Sequence, residues 1–333
     1  MHENFVKIDL HIHTPASTCY KASKEPSEII NILRKAKQLD LKIISFTDHN
    51  SIEGYKMMIS IKEGLTQEVN TLSEISDSEQ AKERLCRAKD DLSLFDDILI
   101  LPGVEFEVRN GIHLLVIFND NTKISDIEEL LFNGGYRAQD LGVEEPLIQS
   151  SWDIFAFFEE TEKYECIVID AHTDQNKGIL NTIPRGNTRA RCFSAPQLSA
   201  ACYSSEEQKD KLMSVLTTAK EYSRTTPPAF LKFSDAHKPE DVGSKLSWIN
   251  IENLSFESLK TAFANPSEMI STEEPSTSRI LDDLIKLENT FGVTDLNAET
   301  ENRFKCLVCA YLTQMEVIFS SGLLKIRIKS GYP

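Results

Sequence analysis

The sequence predicts an α/β fold built on a parallel sheet or barrel, and two observations carry this prediction. Short apolar runs alternate with segments of helical periodicity along most of the chain. Such alternation of strands and helices is typical of βα units arranged around a parallel sheet. The chain has 333 residues, which suits one large domain with additions, or two domains.

The first part of the chain contains four predicted strands, each marked by a short apolar run. They are Val6–Leu10, Leu41–Phe46, Ile98–Leu101 and Ile112–Phe118. Pro26 begins a predicted helix that ends at about Leu39, with its apolar residues on one face. Residues 56–97 are charged and rich in helix-forming residues, so we expect a helical insertion there.

The later elements continue the same alternation. We predict a helix over Ser151–Glu159, a strand over Cys166–Ile169, a helix over Ser205–Lys220, a strand over Ala229–Phe233, and a helix capped by Ser255. Residues 271–279 are typical of a linker, which divides the chain into a domain at 1–270 and a helical C-terminal extension at 271–333.

Apolar residues within 304–319 recur every 3.6 residues and predict a helix in this extension. The apolar face of this helix either packs on the parent domain or forms an interface with a second copy or a partner. It is too short for a membrane span and includes Gln314 and Glu316, so we expect no membrane association through it.

Composition excludes several classes of protein. The formal net charge is −16, so a polyanionic substrate needs metal ions or a local group of Lys and Arg. The seven cysteines are odd in number and lack the spacing of a disulfide scaffold. The N-terminus has no apolar core of a signal peptide, so we expect a reducing, cytoplasmic setting.

Histidines mark the predicted strand ends. Six of the seven lie in or beside short apolar runs: His11, His13, His49, His113, His172 and His237. Carboxylates accompany them at Asp48, Glu105, Glu107 and Asp235. The C-terminal ends of parallel barrel strands meet at one face, where these side chains would converge. Imidazole and carboxylate together suit Zn²⁺, Mn²⁺ or Fe²⁺, so the pattern predicts a metal centre.

His113 differs from the other five because it begins its apolar run instead of ending it. We expect Glu105 and His113 to face each other across a turn at Arg109-Asn110-Gly111. Two further pairs are spaced to share a face, since side chains alternate along a strand with a period of two. They are His11 with His13, and Asp235 with His237.

The order of these motifs and the residues in them resemble those of the PHP (polymerase and histidinol phosphatase) family. The matching pieces are DLHIHTPAS, ISFTDHNSIEG, LPGVEFEV, HLLVIF, DAHTDQNKG and SDAHKPEDVG, spread over about residues 5 to 265. The resemblance implies a distorted (β/α)7, TIM-like barrel with up to three metal ions. The last motif is most similar to PHP domains fused to SMC-like or AAA-like ATPases. This chain has no phosphate-binding P-loop, so either the ATPase has been lost, or it acts in trans as a partner, or this chain is a fragment of a longer fusion.

The resemblance also implies a set of ligands for two to three divalent ions of Zn, Mn or Fe. The first ion would take His11, His13, Glu105 and Asp235, and Glu105 would bridge to a second ion held by His113 and His172. The third would take His49, His237 and Cys19. Cys19 stands where many members carry histidine, and it is either a thiolate ligand or a small buried residue.

A cluster of this kind suits phosphoester hydrolysis, because neighbouring metal ions lower the pKa of a bridging water. We predict Asp48, His49, Glu105 and His237 as the catalytic residues. Asp48 either orients a ligand histidine or caps a turn. Lys177, Arg185, Arg189 and Arg191 follow the His172 motif and are candidates for binding the substrate phosphate, unless this segment is a solvated loop.

The resulting prediction is a metal-dependent phosphoesterase that uses a metal-activated water to hydrolyse phosphate esters, with a phosphorylated small molecule or a nucleic acid as its substrate. One alternative is a nuclease that cleaves DNA or RNA together with an ATPase partner. Another is a non-catalytic, metal-bound module that docks a partner, or a second copy in a homo-oligomer, through residues 304–319.

Overall fold

Nine strands of the described part of the chain form one mixed sheet. The computed structural model describes residues 5–75, 78–146, 148–218, 222–275, 315–320 and 323–328. The strands are β1 (Phe5–Ile12), β2 (Leu41–Phe46), β3 (Leu99–Val108), β4 (Ile112–Phe118), β5 (Cys166–Asp170), β6 (Leu198–Cys202), β7 (Ala229–Leu231), β8 (Ser247–Asn250) and β9 (Ile270–Ser271). Their order in the sheet is β7-β6-β5-β4-β3-β2-β1-β8-β9.

Strand direction is mostly, but not entirely, parallel. β1, β2 and β3 are parallel neighbours, and so are β5, β6 and β7. β4 runs antiparallel to both β3 and β5, and β8 runs antiparallel to β1. The start of β4 therefore lies at the same edge of the sheet as the ends of β3 and β5.

The segment after β7 brings the sheet close to closing into a barrel. The Ala236 N–H donates to His11 O at 3.2 Å, and Ala236 O accepts from His13 N at 2.9 Å. The buried Asp9 carboxylate also accepts from Gly243 N at 3.0 Å. These contacts fix the 234–243 loop against the end of β1, and they confirm the expected α/β barrel architecture.

Helices alternate with these strands along most of the chain. They are α1 (Glu28–Gln38), α2 (Glu53–Ile75), α3 (Glu79–Leu92), α4 (Ile124–Asn133), α5 (Ile154–Thr161), α6 (Ile179–Thr182), α7 (Asn187–Ser194), α8 (Glu206–Thr218), α9 (Phe256–Ala264) and α10 (Pro266–Met269). Helices α2 and α3 fill most of the charged region at 56–97. Ser255 caps α9 as expected, because its side chain accepts from Ser258 N at 3.2 Å. None of the described helices combines the length and hydropathy that a membrane span requires.

Strand β4 has a continuous apolar run because both of its faces are buried. Leu115 and Ile117 pack in a cluster built mainly from the sheet, with partners such as Leu10. Leu114 and Val116 pack on the opposite face with residues of the surrounding helices. Both faces of the strand are buried, so each position needs an apolar side chain.

The chain divides into two compact units, Met1–Thr272 and Glu273–Pro333. In the second unit, β10 (Met315–Ser320) and β11 (Leu323–Ile328) form an antiparallel pair. The helix predicted over 304–319 is therefore wrong at 315–319, while 304–314 and both cysteines of the extension lie outside the described residues. The sequence after the stripe, with Gly322 followed by the alternating Leu-Lys-Ile-Arg-Ile, is a hairpin signal that explains the strand.

Candidate metal centre

Six histidines gather at the edge of the barrel where the parallel strands end. His11 lies near the end of β1 and His13 follows it, whereas His49 and His172 follow β2 and β5. His113 begins the antiparallel β4 and so reaches the same edge from the opposite direction. His237, in the loop after β7, stacks on His13 with ring centroids 4.5 Å apart.

Glu105 lies at the centre of this group, and its two carboxylate oxygens face different imidazoles. Its Oε1 lies 2.9 Å from His113 Nδ1 and 3.1 Å from His172 Nε2. Its Oε2 lies near three other nitrogens, at 2.9 Å from His49 Nδ1, 3.4 Å from His13 Nε2 and 3.5 Å from His11 Nε2. A carboxylate that bridges two cations would need this arrangement.

Asp235 completes the group on the side of β1. Its Oδ1 lies 3.3 Å from both His11 Nε2 and His13 Nε2. The backbone of Asp235 is in the left-handed region, at φ +52°, which Asp tolerates better than most residues. This conformation aims the carboxylate at the two imidazoles.

The donor atoms cluster in four sets, in each of which the atoms lie within 4.8 Å of one another. The sets are His11 with His13 and Glu105; His11 with His172 and Asp235; His49 with Glu105 and His113; and His13 with Cys19, His49 and His237. The structure thus brings together all nine predicted ligands. In the predicted assignment, Glu105 is the one donor shared by two ions. In these four sets His11, His13 and His49 also each belong to two.

The surroundings of these donors fit a cation. His49 Nε2 is buried and makes no hydrogen bond within the described residues. Glu105 Oε2 receives no hydrogen bond there either, although His49 Nδ1 lies 2.9 Å away. Buried polar atoms without partners are rare, and a metal ion would satisfy both. The mixture of imidazole, carboxylate and thiol donors fits Zn²⁺, Mn²⁺ or Fe²⁺.

Burial and neighbouring charges shift the pKa values of the cluster in opposite directions. Burial lowers the pKa of His13 to about 3, so this imidazole is neutral. Burial would also lower the pKa of His11, but the Asp235 and Glu105 carboxylates outweigh it and raise this pKa to about 9. Burial raises the pKa of Glu105, yet His113 and the other imidazoles hold it well below its usual range.

Cys19 lies with three imidazoles, but its thiol is protonated in this environment. Burial, with help from Glu144 and other carboxylates, raises the pKa of Cys19 to about 12. A thiolate at this position would therefore need a bound cation to stabilise it. Its place beside the donors of His13, His49 and His237 fits the predicted ligand role.

Asp48 does not contact an imidazole of the cluster directly. Its carboxylate is 1% exposed and accepts hydrogen bonds from Thr14 and Ser17. Burial raises its pKa, which these donors partly offset. Asp48 thus holds the turn that follows His13, as the turn-capping alternative expects. The Ser17 hydroxyl lies between the Asp48 carboxylate and the His13 imidazole.

A cavity of about 490 Å³ opens at the cluster. It is lined by His49, His113, Glu144, His172, Gln175, Asn176, Lys177, Asp235 and His237. Of the four predicted phosphate-binding residues, only Lys177 is among them. Its Nζ makes no hydrogen bond within the described residues and lies 3.6 Å from Glu144 Oε1. Its backbone is in the left-handed region at φ +68°, and its carbonyl accepts from His113 N at 2.9 Å.

The three arginines are placed elsewhere. Arg189 donates to Leu180 O at 2.7 Å and to Ile183 O at 2.6 and 2.9 Å, so its guanidinium holds the end of α6. Arg191 is exposed and lies over the Phe155 ring at 4.5 Å. Arg185 is exposed as well. The structure therefore does not bring these three side chains into the cavity lining.

Two residues at the site were not predicted to act there. Glu107 Oε2 lies 3.1 Å from His113 Nε2, and Glu144 lines the cavity beside Lys177. Glu107 could have been found from the Glu-x-Glu spacing, which places both carboxylates on one face of β3. Glu144 lies in a loop, and its sequence carries no comparable signal.

Comparison with known proteins supports the fold. No family model matches the chain, and no curated protein matches it either. The lesion-specific endonuclease PfuEndoQ from Pyrococcus furiosus aligns with a TM-score of 0.53 and 13% identity, over 78% of this chain and 56% of that chain. Endonuclease Q in complex with a 27-mer duplex substrate with an abasic lesion at the active site aligns with a TM-score of 0.50 and 13% identity, over 78% and 57%.

A two-domain protein from Bacteroides vulgatus, containing a predicted PHP-like metal-dependent phosphoesterase, aligns with a TM-score of 0.42 and 14% identity, over 79% of this chain and 63% of that chain. Structural neighbours thus include Endonuclease Q and PHP-like proteins. The matched region spans little more than half of each Endonuclease Q chain. At 13% identity, the Endonuclease Q alignments establish the barrel fold, and activity has to be argued from the site.

Proposed function

We propose that this chain is a metal-dependent phosphoesterase with a multinuclear centre. The observation that carries the proposal is the position of Glu105, whose two oxygens face two different sets of imidazoles. A structural carboxylate would be satisfied by hydrogen bonds, whereas Glu105 Oε2 receives none within the described residues. The near-complete set of donors also disfavours a non-catalytic docking module, because a site that had lost its catalytic role should have lost several of these residues.

Two to three divalent ions of Zn, Mn or Fe would occupy the cluster. We assign His11, His13, Glu105 and Asp235 to the first, Glu105, His113 and His172 to the second, and Cys19, His49 and His237 to the third. When bound, such ions supply Lewis acidity and lower the pKa of a coordinated water. The protein contributes fixed donors, because most of these side chains are buried at the rigid ends of strands.

The described residues that line the cavity include no serine or threonine. Its acidic and imidazole groups are assigned as ligands except for Glu144, which lies 3.6 Å from Lys177 Nζ. Water is therefore the nucleophile in this proposal. Lys177 would bind a phosphate oxygen, since its Nζ lacks a hydrogen-bond partner among the described residues and its backbone conformation is costly for a lysine.

The nine lining residues carry only polar or charged side chains, with imidazole as the one aromatic group. Proteins often bind nucleobases by stacking them on aromatic side chains. This lining contains no Phe, Tyr or Trp. A small phosphorylated molecule that is rich in hydroxyl groups suits the cavity best. Gln175 and Asn176 are exposed there and could bind its hydroxyls.

Cleavage of nucleic acid is the second candidate, because the chain shares its fold with Endonuclease Q, whose structure holds a duplex with an abasic lesion. The formal net charge of −16 opposes binding of long nucleic acids unless bound ions offset it. An ATPase acting in trans remains part of this candidate and follows only from the sequence resemblance.

Metal analysis of the purified protein, combined with hydrolysis assays in Mn²⁺ or Zn²⁺, tests the proposal. The substrates are a sugar phosphate monoester, a generic diester, single-stranded DNA and a duplex with an abasic site. We expect two to three metal ions per chain and turnover of the monoester. The His11→Ala and His13→Ala double variant should lose both. Unchanged metal content and activity in this variant would contradict the assignment, and cleavage of DNA alone would favour the nuclease.

A further inference from the structure

A chain of hydrogen bonds runs from Asp48 to the imidazole of His13. Asp48 Oδ1 accepts from Thr14 N at 2.8 Å and from Ser17 Oγ at 2.6 Å. Asp48 Oδ2 accepts from Thr14 Oγ1 at 2.7 Å. The three donors match an ionised carboxylate, which can only accept. The hydroxyl proton of Ser17 is therefore committed to Asp48.

The remaining hydrogen-bond capacity of Ser17 fixes the proton on His13. A hydroxyl has one proton and two acceptor positions. Ser17 is fully buried, and its Oγ accepts from His49 N at 3.4 Å and lies 3.2 Å from His13 Nδ1. Because the Ser17 proton points to Asp48, a favourable contact with Nδ1 requires that Nδ1 carries a proton and donates it.

A neutral imidazole with its proton on Nδ1 has a lone pair on Nε2. His13 Nε2 is the atom that lies 3.3 Å from Asp235 Oδ1 and 3.4 Å from Glu105 Oε2. We propose that Asp48, acting through Ser17, is a positioning residue that holds His13 in the tautomer whose Nε2 binds a metal ion. This inference rests on the proposed metal centre, but it concerns residues that are not ligands.

The relay matters because the nearby carboxylates favour the opposite tautomer. Without a cation, Asp235 or Glu105 would accept a hydrogen bond from a protonated His13 Nε2, and that nitrogen would have no lone pair for a metal ion. Ser17 makes that tautomer unfavourable, since two lone pairs would then face each other at 3.2 Å. The relay therefore lowers the cost of preparing the site for a metal ion.

Two substitutions break the relay in different ways. Ser17→Ala removes the acceptor for His13 Nδ1 but leaves both Thr14 donors on Asp48. Asp48→Leu keeps the approximate size of the side chain but removes both acceptor oxygens, so the Ser17 hydroxyl can turn and donate to His13 Nδ1. Thr14→Val is the matched control. It removes one donor from Asp48 Oδ2 and the acceptor for Ala16 N, but it leaves the contacts of Ser17 Oγ with Asp48 and His13 in place.

The experiment measures Zn²⁺ affinity by competition with a chelator, and the proton positions of His13 by ¹⁵N NMR of the imidazoles in Zn²⁺-loaded protein. Far-ultraviolet circular dichroism checks that each variant is folded. We expect Ser17→Ala and Asp48→Leu to lower the affinity roughly 10- to 100-fold, and Thr14→Val to change it by less than about threefold. The His13 Nδ1 proton should show a hydrogen-bonded signal in the wild type and lose it in Ser17→Ala.

The outcomes separate the relay from the metal centre. A wild-type protein that bound no Zn²⁺ would overturn the metal centre and the relay with it. Zn²⁺ binding that was equal in Ser17→Ala, Thr14→Val and the wild type would overturn the relay alone. If Asp48→Leu failed to fold, the comparison of Ser17→Ala with Thr14→Val would still decide, since both leave the carboxylate in place.

Discussion

Glu107 and His113 are opposite each other in the β3–β4 hairpin, and Glu107 Oε2 lies 3.1 Å from His113 Nε2. The other ring nitrogen, Nδ1, lies 2.9 Å from Glu105 Oε1. Burial would lower the pKa of His113, but Glu105 and Glu107 outweigh it and raise the pKa to about 9. The ring is thus held between two carboxylates that are two residues apart on one strand. Glu107 acts on Nε2 and leaves Nδ1 to face the cluster.

Replacement of Glu107 tests whether this support matters for metal binding. We expect Glu107→Met to weaken the Glu105–His113–His172 site roughly 10- to 100-fold, as loss of an outer partner of a ligand histidine usually does. Glu107→Gln should fall between Met and the wild type, because its amide oxygen can still accept from Nε2. Chelator competition measures the affinities. Equal affinities for Met and Glu at this position would show that Glu107 has no such role.

Glu105→Gln should lower the metal content by at least one equivalent, since Gln can offer one oxygen but cannot bridge two cations as an anion. Phosphoester hydrolysis should fall by about 100-fold or more, beyond the usual effect of an outer partner. Metal analysis and assays at saturating Mn²⁺ measure both. Glu159→Gln, an exposed substitution on α5, is the matched control. Full metal content in Glu105→Gln would exclude a bridging role.

Local patterns were sufficient to predict an α/β sheet or barrel with histidines at its strand ends, whereas the TIM-like barrel and the individual ligand sets followed from the resemblance of the motifs to the PHP family. Apolar runs mark the strands, and a histidine or acid at a strand end is conspicuous in the sequence. The expected contact of Glu105 with His113 is confirmed at 2.9 Å. It was predictable because a short turn joins their strands as an antiparallel hairpin, which brings the two residues together. The pattern could not show that the Arg189 guanidinium binds backbone carbonyls, because that depends on how the 180–191 segment folds back. The helix predicted at 315–319 was wrong for another reason. A short apolar run is compatible with both the helical period of 3.6 residues and the strand period of two.

Lys177→Met should raise the KM for a phosphate ester roughly 10- to 150-fold, because one hydrogen bond from a charged group contributes about 1.5–3 kcal/mol. The metal content should stay unchanged, because Lys177 is not a ligand. Arg185→Met is the matched control, since it removes a positive charge from an exposed position outside the cavity lining. Steady-state kinetics with metal analysis measures both effects. An equal rise in KM in the two variants would indicate a general effect of charge rather than contact with phosphate.

Arg189→Met should destabilise the fold instead of weakening substrate binding. Its guanidinium donates to two backbone carbonyls at the end of α6, and hydrogen bonds from charged groups contribute about 1.5–3 kcal/mol. We expect the free energy of unfolding to fall by about 1–3 kcal/mol, measured by urea denaturation. Arg185→Met should change it by less than about 0.5 kcal/mol. A raised KM in Arg189→Met with unchanged stability would restore its predicted role in phosphate recognition.

Gly178 and Gly64 give a matched pair in which the same substitution should have opposite effects. A Cβ on Gly178 would lie 1.8 Å from His172 O, and a backbone atom cannot move aside as a flexible side chain can. We expect Gly178→Ala to destabilise the protein by at least about 1–3 kcal/mol, in the range of overpacking. It should also weaken metal binding, because the clash displaces His172 from Glu105. Gly64 lies on an exposed face of α2 with nothing within 4 Å of its Cβ, so Gly64→Ala should stabilise by about 0.5–1 kcal/mol. Urea denaturation and chelator competition measure the two effects, and a stable Gly178→Ala variant with intact metal affinity would show that the backbone at His172 is not fixed by this contact.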